Sequence, residues 1–200
     1  ARDLVSAADR TGANVYDVLN AESAGLPVGS DGLIVNEYFQ GNRTPYTDSK
    51  ARGIIWGLSL AHGPAHLYHA IQEGICYGSA HILREVAKAG FEVTELVAAG
   101  GMTKSRALLQ MHSDVTGVPI TLTKVGDAVV LGSSMCAAVG AGFYEDLQDA
   151  AKGMVHEVDQ LLPDAIRHAE YQFYLDAYCA GYPALADQIH SLVDHEAAKA

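Results

Sequence analysis

The 200-residue chain is predicted to adopt an α/β fold. Two features of the pattern carry that reading. Segments with apolar residues at helical spacing alternate with short β-branched runs that end in Gly or polar turns. The later runs are reached through helical crossovers, which implies parallel neighbouring strands. With 49% hydrophobic and 18% charged residues, the chain can bury a substantial core, and nothing in it divides residues 1–200 into separate domains.

The elements follow in order. Val5 to Leu19 carries Val5, Ala8, Val15, Val18 and Leu19 at helical spacing, and the Gly and Pro residues between 25 and 32 stop it. Leu33 to Phe39 reads as a strand, rich in β-branched and aromatic residues. Gly41 to Asp48 is a loop. A long helix from about Pro64 to Gly90 is predicted by Leu67, Ala70, Ile71, Ile75, Ile82, Leu83 and Val86, with Pro64 in its first turn and Gly90 as its stop. A strand (Glu95–Ala99), a helix (Ser105–Thr116) and a second strand (Ile120–Thr123) come next. Asp127 precedes a small-residue helix, Ala128 to Val139. A polar stretch begins at Tyr144, and the tail from Val158 to Leu192, with five aromatics between Tyr171 and Tyr182, reads as a helix packed on the rest.

Charge and apolar run length exclude several functions. The net charge of −11 argues against nucleic acid and against anionic membrane surfaces, both of which need clustered Lys and Arg. No apolar run approaches the ~18 residues of a membrane span, and the first residues lack a signal-peptide core, so a cytoplasmic location is expected. Cys76, Cys136 and Cys179 are odd in number and far apart, which suits reduced thiols rather than disulfides or a zinc site.

The local signals for chemistry are few. Gly100-Gly101-Met102 stands where a strand ends and a helix begins, a place where backbone can approach a ligand; a tight βα turn explains the same glycines. It is neither a Walker A motif nor a dinucleotide fingerprint, which leaves an oxidoreductase reading with little support. His66, His69 and Glu73 share one helix face, but their spacing is not that of a metalloprotease motif and no second cluster completes a shell. The simpler reading places His66 and His69 near a helix start and gives Glu73 a buried or interface hydrogen bond. Asp127 reads as a helix cap. The aromatic tail fits core packing better than a sugar platform.

Several motifs in order resemble the FGGY family of carbohydrate kinases. Gly41-Asn42-Arg43-Thr44-Pro45-Tyr46-Thr47-Asp48 with Ala51-Arg52-Gly53 is similar to that family's Gly-x-Arg-x-Pro segment and its Ala-Arg-Gly. Gly53-Ile54-Ile55-Trp56-Gly57-Leu58, seven residues, then His66 to Glu73 resembles its second signature, with Gln72 where an apolar residue is expected. Gly100-Gly101-Met102 with Ser105, and the run Leu109 to Gly117, resemble the adenosine-side segment. Asp127 to Ser134 is similar to Glu-x-x-x-Leu-Gly-Ala-Ala, with Asp for Glu. The resemblance covers Gly29 to Leu147 best and looks most like the ribulokinase-like branch.

The resemblance implies an actin-like ATPase domain of ribonuclease H type, incomplete at its N-terminal side. It implies ATP and Mg²⁺ as cofactors and a sugar or polyol, a pentulose such as ribulose favoured, held mainly by an N-terminal domain absent from the chain. Gly100, Gly101 and Met102 would pack on adenosine, with Ser105 at the adenine edge. The family's catalytic Asp and its phosphate-contacting Gly-Thr turn lie upstream, so no catalytic or metal residue is expected here. Turnover by this chain alone is not expected, and exposed apolar edges would favour self-association. The alternative is a non-catalytic actin-like ATP-binding or interaction module.

Overall fold

The computed structural model describes residue 12 and residues 14–199. The first helix, α1 (Val15–Ser23), starts at Asn14, whose side chain accepts from the Tyr16 N–H at 3.0 Å. Val5 and Ala8, expected on the same helix, lie outside the described residues.

Strand β1 (Ile34–Asn36) pairs antiparallel with β2 (Ile54–Trp56), joined by the loop over residues 41–48. Helix α2 (Pro64–Lys88) follows, close to the predicted bounds, with the Gly63 N–H donating to His66 Nδ1 at 3.1 Å across its first turn. Then come β3 (Leu96–Ala98), a 3-10 turn (Gly100–Lys104), α3 (Arg106–Thr116), β4 (Ile120–Thr123) and α4 (Ala128–Gly140). The chain closes with α5 (Leu147–Met154), β5 (Glu157–Leu161) and α6 (Ala165–Ala197). A second sheet has the order β3-β4-β5, with β3 and β4 parallel as expected and β5 antiparallel to β4.

Two expectations need correction. The Leu33 strand and the Glu95 strand are not parallel neighbours, because they belong to different sheets. The 25 residues of α2 rise about 37 Å, whereas a three-residue strand spans about 10 Å, so the chain overshoots β1 and starts a new sheet beyond it. The polar stretch after Tyr144 forms α5, capped by Asp146, whose Oδ1 accepts from the Asp149 N–H at 2.8 Å. The tail helix starts at Ala165 rather than Val158. Val158 belongs to β5, and Pro163 separates the strand from Asp164, whose carboxylate caps α6 through the N–H groups of Ile166 and Arg167.

The core is built mainly where α2, α3 and α6 meet β1. Ile34 points into a cluster with Cys76, Tyr77, Val115, Tyr171, Leu175 and Tyr178, while Leu33 and Val35 face Ala70 and Leu67 on the other side. Of the tail's aromatics, Tyr171, Tyr178 and Tyr182 are buried in this core, whereas Phe173 is exposed. A smaller cluster of Leu109, Ile120 and Leu161 fixes α3 to the three-stranded sheet. Asp114 ties α3 to the start of α6: its carboxylate accepts from Gln110 Nε2 (2.8 Å) and the Asp164 N–H (3.0 Å) and faces Arg167 Nε at 3.1 Å.

Candidate functional site

Because β3 and β4 run parallel, their carboxyl ends emerge side by side, and each runs through glycine into a helix. After β3 come Gly100 and Gly101, then Ser105, whose hydroxyl caps α3 by accepting the Leu108 N–H at 3.3 Å. After β4 come Gly126 and Asp127, whose Oδ1 caps α4 by accepting the Val130 N–H at 3.1 Å. The two junctions are joined directly, since the Gly100 N–H donates to the Gly126 carbonyl at 2.7 Å. Two helix N-termini thus open from one edge, where residual N–H groups and the helix dipoles favour a polar or anionic ligand.

Gly100 has a φ of +79°, a left-handed conformation that glycine adopts without strain. Nothing lies within 4 Å of where a Cβ would stand on either Gly100 or Gly101, so this backbone faces open space. Met102 also lines a cleft of about 410 Å³ between α2 and β3, together with Ile75, Ile82, Val97 and His112. The turn therefore brings the four predicted residues together. The Ser105 hydroxyl is engaged as the α3 cap.

The other candidates resolve into structure. Glu73 is fully buried and accepts from the Gly29 N–H (2.8 Å) and the Ser30 hydroxyl (2.7 Å), while His69 Nδ1 meets the same hydroxyl at 2.9 Å. His66 Nε2 lies 3.2 Å from Asp31. Together they clamp the tight turn before β1. Among the described residues no group of three or more His, Cys, Asp or Glu is placed to hold a metal ion. The hydroxyls of Ser133 and Ser134 bond carbonyls of their own helix, Val129 at 3.0 Å and Val130 at 2.9 Å.

Two residues at the junctions escaped the sequence reading, Thr103 and Gly126. Gly126 carried a usable signal, because a glycine between a β-run and the capping Asp127 repeats the strand-glycine-helix pattern of Gly100 to Ser105. Thr103 carried none, since its role depends on where its hydroxyl lands.

The profile described as the FGGY family of carbohydrate kinases, C-terminal domain, matches residues 2–141. The chain belongs to the FGGY family. Among FGGY relatives, a xylulose kinase of Bacillus subtilis is 31% identical over 153 residues, covering 76% of this chain and 31% of the relative. A ribulokinase of Bacillus licheniformis is 30% identical over 152 residues, covering 74% of this chain and 28% of the relative. The chain therefore spans about a third of the length of the curated relatives it matches. A ligand-bound xylulose kinase from Lactobacillus acidophilus superposes with a TM-score of 0.81 at 24% identity, over 96% of this chain and 39% of that one. The fold is accordingly the actin-like ATPase type shared by FGGY kinases.

Proposed function

We propose that the chain forms the nucleotide-side wall of an ATP-dependent kinase that phosphorylates a hydroxyl of a sugar or polyol, with a pentulose as the favoured acceptor. The observation that supports this most is the pairing of the two parallel-strand ends through Gly100 and Gly126, which leaves the Gly100–Gly101 backbone open beside two helix N-termini. That arrangement fits a nucleotide, with adenosine on Gly100, Gly101 and Met102 and the adenine edge toward Ser105. The substrate class rests on the relatives, whose names, xylulose kinase and ribulokinase, are those of pentulose kinases.

Phosphoryl transfer depends on positioning and on neutralising phosphate charge, a charge that Mg²⁺ would help to neutralise, and on a carboxylate that orients the attacking hydroxyl. In this reading the chain binds and orients the nucleotide, Mg²⁺ arrives with the phosphates, and the carboxylate base, the phosphate turn and most sugar contacts come from polypeptide outside these residues. The 200-residue chain by itself is then inactive, and the whole enzyme works in the cytoplasm.

The test is ADP release from Mg·ATP by the full-length product of the parent gene across a panel of ketoses and polyols, beside the 200-residue chain and a full-length Gly101→Leu variant. Turnover by the full-length protein alone, with a raised KM for ATP in the variant, is the expected result. Turnover by the 200-residue chain would overturn the division of labour. An unchanged ATP dependence in Gly101→Leu would remove Gly101 from the site. No ADP release with any acceptor would favour a binding module instead.

A further inference from the structure

We infer that Thr103 is a positioning residue that holds the Gly100–Gly101 backbone in its ligand-ready shape, an inference that rests on the nucleotide reading above. The 3-10 turn has no fully buried residue, so packing holds it only through Met102 at the edge of the α2 cleft. Its shape depends on a few hydrogen bonds, and two of them meet on one glycine. The Thr103 hydroxyl donates to the Gly100 carbonyl at 2.7 Å, and the Gly100 N–H donates to the Gly126 carbonyl at 2.7 Å. A third bond, from the Ser105 N–H to the Met102 carbonyl at 3.0 Å, closes the turn on the α3 side without touching the glycines.

Thr103 also reaches the second junction. A Cβ on Gly126 would lie 3.7 Å from the Thr103 hydroxyl, which is ordinary contact distance. The side chain therefore bonds one strand-to-helix turn and lies beside the other. Glycine has the largest conformational freedom of any residue, and Gly100 is held in a left-handed conformation with no side chain of its own to prop it. Without the hydroxyl, the Gly100 carbonyl turns to water and the turn samples other shapes. The ordering cost then falls on nucleotide binding instead of on folding.

The experiment uses the full-length protein with Thr103→Val, which keeps the branched shape and removes the hydroxyl, and Thr103→Ser, which keeps the hydroxyl. One hydrogen bond of ordinary strength translates into about a three- to tenfold rise in KM for ATP in Thr103→Val. Expected alongside it are kcat and sugar KM within about twofold of wild type and recovery in Thr103→Ser. Amide hydrogen exchange at Gly100, measured without nucleotide, is expected to quicken by a similar factor in Thr103→Val only. Unchanged exchange overturns the assignment whatever the kinetics, as does a Thr103→Ser variant as impaired as Thr103→Val. Faster exchange in Thr103→Val with no ATP binding by wild type would keep the turn's support and overturn the nucleotide reading, and with it a role in catalysis.

Discussion

Gly74 lies in the middle of α2, directly behind β1, and its replacement by alanine tests how the helix and strand are fitted together. A Cβ there would fall well inside van der Waals contact of the Val35 carbonyl oxygen, with the Val35 carbonyl carbon at 3.4 Å and Val35 Cβ at 3.5 Å. The obstacle is backbone in a strand paired with β2, so no rotamer change relieves it. Helix and strand must separate by about 1 Å to restore ordinary contact. Overpacking of this kind costs about 3 kcal/mol at the upper end of its range, and the gain in helix propensity from Gly to Ala returns about 1 kcal/mol. The net expectation is a loss of about 2 kcal/mol. Gly132 on α4 supplies the control, because nothing lies within 4 Å of its Cβ position and the same change there is expected to stabilise by up to about 1 kcal/mol. Urea unfolding of the 200-residue chain, followed by far-UV circular dichroism and by fluorescence of the single Trp56 on β2, reads both. At a typical m of about 2 kcal/mol/M, the midpoint of Gly74→Ala drops by about 1 M with m unchanged. A midpoint at or above wild type would refute the argument that α2 is held against β1 by the absence of a side chain.

Two further outcomes follow from charged groups in the core. Burial raises the Glu37 carboxyl from 4.5 to about 7, opposed by hydrogen bonds that include the Tyr178 hydroxyl at 2.9 Å. Between those values the unfolded chain has released its proton while the folded protein keeps it, so the stabilisation present below pH 4.5 is lost as pH rises to about 7. Glu37→Gln removes that loss, and midpoints measured from pH 5 to 8 should fall in wild type and stay level in the variant. Asp114→Ala removes the acceptor shared by Gln110 and the Asp164 N–H and the ion-pair partner of Arg167, and should cost about 3 kcal/mol, the low end for a buried pair because Arg167 is half exposed. Asp114→Asn, which keeps one oxygen acceptor, should recover part of it in the same unfolding assay.

Much of this fold was legible because local chemistry and tertiary structure agree. Pro64 and the apolar spacing of the long helix, Ser105 and Asp127 as caps, and the β-branched run at Ile120 each specify their element without help from distant residues. The motifs around Gly41, Gly53, Gly100 and Asp127 were equally readable as family signatures, and they placed the chain among FGGY kinases from the letters alone. Short strands were harder. Glu157 to Leu161 alternates only weakly, and its pairing with β4 is a contact across more than thirty residues that leaves little local trace.

The amino-acid sequence by itself determined the α/β class, the helices with strong caps, the strand-glycine-helix turn and the family. Those depend on residue types at fixed short spacings, where propensity, capping and backbone freedom act within a few positions. Only the tertiary structure decided that the strands divide between two sheets, that Glu73 and His69 serve a turn 44 and 39 residues away, that Met102 lines the α2 cleft, and that Gly100 is tied to Gly126 through a network Thr103 completes. These are hydrogen bonds and contacts between segments brought together by the whole fold, and no periodicity in the chain encodes where a single hydroxyl or carbonyl will come to rest.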